Sequence, residues 1–197
     1  MALAKYKMHW DKLEYKMKEL DKRANGENKV QNPTSWISGY FNKLRFDIIL
    51  NKKPKGPLFI AGGDNVSDFD LSKVMQHYVN NQHDTLALYD VQDSSLAKLY
   101  GIVKLHGSKI TELKEKPSNP ISTLASTALW LLSESGQNSL INYLDSGVEK
   151  DSMGAFMAYH CVNNHVEGVV YNGYWFDIGS PAAYQTAINW ANTRKAV

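Results

Sequence analysis

The chain has 197 residues, 43% hydrophobic and 11% aromatic, enough to bury one substantial core in a single domain spanning 1–197. Its 22 basic and 20 acidic residues leave a formal net charge of +2, too weak a field to gather nucleic acid or an anionic membrane. Cys161 is the only cysteine, so no intrachain disulfide can form; with no signal-peptide core and no apolar run near the roughly 20 residues of a bilayer span, the expected compartment is the cytoplasm.

Tyr6, Trp10, Leu13, Met17 and Leu20 recur at spacings of three and four, which predicts an amphipathic helix over Tyr6 to Arg23. Asn25-Gly26-Glu27-Asn28 stops it, and Asn32-Pro33-Thr34-Ser35 caps a second helix through Trp36, Tyr40, Leu44 and Ile48. Gly56 to Ala61 then reads as a buried parallel strand ending at the loop Gly62-Gly63-Asp64-Asn65. A helix over Asp70 to Gln82 and a strand over Thr85 to Tyr89 follow. Tyr100 to Leu105 and Lys109 to Lys114 flank a His106-Gly107 turn as a hairpin. Ser126 to Leu132 is an apolar strand, and Asn138 to Ser146 and Asp151 to Asn163 are helices. Val166 to Tyr171 and Tyr174 to Ile178 flank Asn172-Gly173, a hairpin signal, and Pro181 opens a last helix through Ala191. Strands alternating with helices give an α/β, Rossmann-like fold: a mainly parallel sheet flanked by helices, with a small antiparallel insertion.

Several residues stand out for chemistry, each with a plainer reading beside it. Asp64 follows two glycines at a strand end, where a cation or a phosphate can approach, although Gly-Asp is also ordinary turn chemistry. Asp177 lies between bulky apolar neighbours in Trp175-Phe176-Asp177-Ile178-Gly179-Ser180-Pro181, so it needs a cation, a metal or a helix N-terminus as partner; a capping role is equally consistent. Glu115-Lys116-Pro117 offers an amine suited to phosphate and a carboxylate suited to hydroxyls, or simply a solvated turn. Tyr100-Gly101 leaves a backbone N–H open beside an aromatic ring, or is plain strand. His160-Cys161 and His165 lack the spacing of a structural zinc site and read as a helix-end polar patch. The lysines of 51–55 read as a solvated loop, and Trp10, Trp36, Trp130 and Trp190 as core.

Taken in order, Gly63-Asp64-Asn65, Tyr100-Gly101, Glu115-Lys116-Pro117, Ser122 to Thr127, and Trp175 to Pro181 with Tyr184 and Asn189 resemble the sugar-phosphate nucleotidyltransferases of the glucose-1-phosphate thymidylyltransferase and mannose-1-phosphate guanylyltransferase type. That resemblance implies transfer of a nucleotide from a nucleoside triphosphate to a hexose 1-phosphate, with release of pyrophosphate. It implies Asp64 and Asp177 as ligands of Mg²⁺ and Lys116 on the sugar phosphate. Glu115, the Gly101 backbone, Tyr100, Trp175 and Thr127 would surround the sugar.

The family's glycine-rich loop with its arginine and its Pro-Lys-Pro segment have no counterpart here, and the segment that reads the base falls on Gln31 to Ser35 with Pro33 in place of glycine. The Tyr6 to Arg23 helix matches the family helix after the second strand, so the chain is expected to be N-terminally truncated. Two alternatives to an active enzyme follow: a non-catalytic regulator that binds a sugar phosphate or nucleotide sugar, or an inactive fragment. A homo-oligomer or a complex with a full-length homologue is the corresponding partner expectation.

Overall fold

A computed structural model describes residues 55–146 and 153–194. The two N-terminal helices expected from the sequence, and the Gln31 to Ser35 segment, lie outside the described residues. The described chain runs β1 (Leu58–Ala61), β2 (Asn65–Ser67), α1 (Ser72–Asn81), β3 (Asp84–Asp90), α2 (Ser94–Ala97), β4 (Gly101–His106), β5 (Lys109–Glu115), β6 (Leu124–Leu132), α3 (Glu134–Asp145), α4 (Met153–Asn163), β7 (Val166–Tyr171), β8 (Trp175–Asp177) and α5 (Pro181–Arg194).

Six strands form one sheet in the order β1-β6-β3-β7-β5-β4, and β2 pairs with β8 in a second, two-stranded sheet. The α/β architecture is the expected one, and the sheet is mixed. Among the described residues β3 and β7 are parallel neighbours, while β6 runs antiparallel between β1 and β3, so β1, β3 and β7 point the same way. The β4–β5 hairpin is the antiparallel insertion, turning at Gly107 with φ +61°, a value glycine adopts without cost.

Local chemistry sets the helix starts. The Asp70 carboxylate accepts from the Ser72 N–H at 3.1 Å and its hydroxyl at 2.6 Å ahead of α1, and these two bonds hold the Asp70 pKa below its usual value. Asp93 caps the short α2 by accepting from Ser95 and Leu96. Ser133 caps α3 through the Gly136 N–H at 3.0 Å. Alternation along β3 sends Ala87 to one face, where Val74 of α1, Phe69, Ile102, Leu131, Tyr171 and Trp175 share a core. Asp84, Leu86 and Leu88 take the other face, where Asp84 meets α3 and α4 through Ser133 and His160.

Two expectations need correction. The first strand is not a buried parallel one: β1 pairs antiparallel with β6 and its residues are half-buried or exposed. Its apolar run is shared between one packed face and the β6 neighbour. Nor is there a hairpin across Asn172-Gly173. Gly173, at φ +132°, breaks the line of β7, and the Asp68 carboxylate accepts the Tyr174 N–H at 2.8 Å, steering the chain into the second sheet. β7 is already flanked by β3 and β5, so β8 pairs with β2 instead.

Candidate active site

The loop after β1 and the segment after β7 meet because β2 and β8 form a three-rung antiparallel ladder: Asn65 opposite Asp177, Val66 opposite Phe176, Ser67 opposite Trp175. The Ile178 N–H donates to the Asp64 carbonyl at 2.8 Å and extends the ladder by one rung. Asp64 and Asp177, 113 positions apart in sequence (177 − 64), are thereby fixed on adjacent rungs at the C-terminal ends of β1 and β7. Open α/β sheets bind ligands at such ends.

Gly62 makes the close approach possible. Its N–H donates to the Ala128 carbonyl at 2.9 Å, and a Cβ there would lie 2.6 Å from Asn65 Nδ2 and 3.1 Å from Asp64 Oδ1. Asp64 is exposed, and its Oδ1 accepts from Asn65 Nδ2 at 3.0 Å. Asp177 is half-buried, and its Oδ1 accepts the Gly179 N–H at 3.1 Å. The donor set is two carboxylates with lone pairs to spare. Mg²⁺ takes such a set readily, usually using one or two protein carboxylates and completing its octahedron with water and substrate phosphates.

An aromatic wall stands next to the acids. Tyr100 and Trp175 meet edge to face with centroids 5.0 Å apart. Burial, and then the charge of Asp177, raises the Tyr100 pKa above its ordinary value, so that phenol stays protonated and is an O–H donor. The Tyr100 carbonyl accepts the Lys116 N–H at 3.0 Å, and Gly101 pairs with Glu115 across the hairpin. Lys116 adopts φ +43°, and both Glu115 and Lys116 are exposed. A Cβ on Gly101 would touch Glu115 Oε2 at 3.0 Å, so glycine leaves the carboxylate its room.

The structure therefore brings Asp64, Asp177, Tyr100, Gly101, Glu115, Lys116 and Trp175 into one connected set. Thr127 is placed differently. It is fully buried, and its hydroxyl donates to the Ala87 carbonyl at 2.9 Å across the irregular stretch of the β3–β6 ladder. Its neighbour Ala128, at φ +56°, is the residue that faces Gly62.

Sequence reasoning gave no role to Asn65. Its amide donates to Asp64, and its Oδ1 accepts the Trp175 indole N–H at 2.7 Å, so one side chain ties the first acid to the aromatic wall. Position beside Asp64 was the only hint; the reach to Trp175 exists only once β2 and β8 pair.

His160 and Cys161, read as part of a helix-end polar patch, are both buried. His160 is fully buried, its Nε2 2.6 Å from Asp84 Oδ2 and its Nδ1 2.9 Å from Ser139 Oγ. Their companion His165 lies elsewhere, at the start of β7. Burial, and then the Asp84 charge, pushes the Cys161 thiol up to about 12. Since the thiolate is the reactive form, a disulfide reagent at about pH 8 should titrate almost none of this single thiol in the folded chain, and all of it in denaturant.

The nucleotidyl transferase family matches residues 43–193, which includes every residue of this set. The chain belongs to that family. Among curated relatives, this nucleotidyl transferase domain is 27% identical to a glucose-1-phosphate adenylyltransferase of Lachnospira eligens over 180 residues, covering 86% of the chain and 42% of the relative. It is 30% identical over 158 residues to the enzyme of the same name from Ruminiclostridium cellulolyticum, covering 76% of the chain and 36% of the relative. Among solved structures, a UTP-bound UGPase from Acinetobacter baumannii superposes with a TM-score of 0.62 at 19% identity, over 77% of this chain and 55% of that one. That likeness shows the fold. The domain thus spans about two fifths of the length of these curated relatives. Among the described residues no helix is long and apolar enough to cross a membrane.

Proposed function

We propose that the domain serves a cytoplasmic sugar-phosphate nucleotidyltransferase that joins a hexose 1-phosphate to a nucleoside triphosphate, giving a nucleoside diphosphate sugar and pyrophosphate. The observation that carries this reading is the placement of Asp64 and Asp177 on adjacent rungs beside Tyr100, Trp175, Glu115 and Lys116. Both acids would hold Mg²⁺, which when bound neutralises phosphate charge and aligns the reacting groups. Lys116 would grip the sugar phosphate as a point charge. Glu115 and the Gly101 backbone would bind sugar hydroxyls against the Tyr100–Trp175 wall, and Thr127 would shape the floor near the sugar by fixing the β3–β6 irregularity. A phosphate oxygen of the sugar attacks the α-phosphorus in line, a P–O bond forms, and the bond to the β-phosphate breaks as pyrophosphate leaves. Such a reaction asks mainly for positioning and charge stabilisation from the protein.

In this reading 1–197 acts as one domain, and a homo-oligomer or a complex with a full-length homologue is its natural assembly. A regulatory role is the second reading, supported by the prominence of sugar-side residues in the set. A thermal-shift panel of sugar phosphates and nucleotide sugars, with and without Mg²⁺, tests the site, because a ligand selective for the folded state raises its melting temperature. A nucleotide sugar should do so only with Mg²⁺ present. If no member of the panel shifts the transition, the site assignment is wrong. Pyrophosphate release from the four common triphosphates, with glucose 1-phosphate or mannose 1-phosphate, then separates enzyme from regulator.

A further inference from the structure

The opposite end of the sheet carries a second group of potential ligands that plays no part in the site above. His83 immediately precedes β3, His165 immediately precedes β7, and Glu167 is the second residue of β7. Because β3 and β7 are parallel and in register at Asp84 opposite Val166, the two histidines arrive side by side. Their rings stack with centroids 3.9 Å apart. One nitrogen from each and one Glu167 oxygen all lie within 4.8 Å of one another. The cluster lies at the start of β7, whose 6 residues span on the order of 20 Å, whereas Asp177 follows beyond its other end.

The cluster is built rather than incidental. Glu167 is buried, yet its Oε2 accepts from Asn81 Nδ2 at 2.9 Å and lies 2.6 Å from His77 Nε2, both on α1, while its Oε1 lies 3.2 Å from His165 Nε2. His83 is half-buried and His165 exposed, so a cation can reach them and the His165 ring can turn out of the stack. Two imidazoles and one carboxylate match the chemistry of zinc and its neighbours, with a fourth position left for water.

We propose that His83, His165 and Glu167 form a binding site for a divalent transition-metal ion of the zinc class, distinct from the paired aspartates, with His77 and Asn81 orienting the carboxylate from α1. Bound there, the ion ties the starts of β3 and β7 to each other and, through Glu167, to α1. Outer partners of this kind set the orientation of metal ligands.

The test is a titration of the tag-free, metal-stripped full chain with Zn²⁺ by calorimetry, paralleled by Co²⁺ followed in its visible absorption bands. One equivalent should bind with a dissociation constant of about 10 μM or tighter, and the Co²⁺ bands should report a four-coordinate site. His83→Ala and His165→Ala should each weaken Zn²⁺ by more than about 10-fold, and His77→Ala by about 10-fold. Both ligand histidines are accessible, so the metal-free melting temperature should move by no more than about 3 °C in these variants. Zn²⁺ should raise the transition of the wild type and not of His165→Ala. Asp64→Asn should leave the affinity unchanged. Failure to bind Zn²⁺ below about 100 μM overturns the proposal. So does equal affinity in both histidine variants, or an affinity lost in Asp64→Asn and kept in His165→Ala, which would put the ion at the aspartates instead.

Discussion

Asp177→Asn is expected to weaken Mg²⁺-dependent binding of a nucleotide sugar by at least about 100-fold, while moving the melting temperature by no more than about 2 °C. The amide keeps the shape of the side chain, and its oxygen can still accept the Gly179 N–H; what it loses is the charge. Residues that merely orient a metal ligand already cost about 10–100-fold when removed, so a direct ligand should cost more. Asp64→Asn should behave alike, since its carboxylate is exposed and the bond it accepts from Asn65 can also be made to an amide oxygen. A ligand-free readout accompanies the binding assay. Asp177 is one of the two causes that raise the Tyr100 pKa, so the Asp177→Asn variant should ionise Tyr100 at lower pH, as followed by NMR of labelled tyrosine. Normal Mg²⁺-linked binding in both variants would remove the metal assignment.

The largest loss of stability is expected from Asp84→Ala. Asp84 is 5% exposed, and its two oxygens serve the Ser133 N–H at 2.6 Å and His160 Nε2 at 2.6 Å. Truncation leaves the buried His160 Nε2 and the half-buried Ser133 N–H without this partner, at a cost of about 1–3 kcal/mol each. The urea midpoint at pH 7 reads it. A double variant, Asp84→Leu with His160→Leu, should cost less than the sum of its single changes, because no unpaired group remains. Gly136→Ala should also destabilise, since a Cβ at that helical position collides with the Asp84 carboxylate.

Acid should erase part of the same contribution. Burial pushes the Asp84 pKa up, but the bonds from His160 and Ser133 outweigh it and hold it below the ordinary value. The unfolded chain therefore takes up the proton first as pH falls. The stabilisation is complete above about pH 4, where the unfolded carboxyl titrates, and is lost on descending through the lower folded pKa. Between wild type and Asp84→Ala, the gap in urea midpoint should accordingly narrow below about pH 4.

What could be read from the sequence followed from local rules. The strand runs, the Gly107 turn, the helix expected over Asn138 to Ser146 and the Pro181 start all rest on periodicity and punctuation within a few residues, and they reappear with shifts of one to four positions at most ends. The exceptions are long-range. Asn172-Gly173 is a good local hairpin signal, and it loses because β7 is committed on both sides to β3 and β5 and Asp68 redirects Tyr174. Similarly, β1 has the composition of a buried strand, yet pairing alone made it antiparallel to β6. The short β2 carries no pattern of its own, being three residues whose partner lies over a hundred positions away.

The same divide runs through the site. Asp64, Asp177 and Lys116 could be singled out as candidates because ordered motifs mark them. Asn65 was missed as a bridge, and the Asp84–His160 pair was missed because burial of a histidine by a distant acid leaves no trace in spacing. Glu167 shows the converse. The two histidines grouped with it, His83 and His165, come from the approaches to separate strands, and the parallel register of β3 and β7 sets them side by side.

A ladder of three rungs, with Ile178 adding one bond, is a small fastening for groups delivered by two different parts of the chain. Short pairings of this size open far more often than the sheet they hang from. The acids can therefore part company while the six-stranded sheet stays intact, and a one-residue slip of β8 against β2 would turn Asp177 to the other side of its strand. On the proposed reading, cation capture would depend on alignment as well as folding, and the joint between β2 and β8 is where that alignment is set.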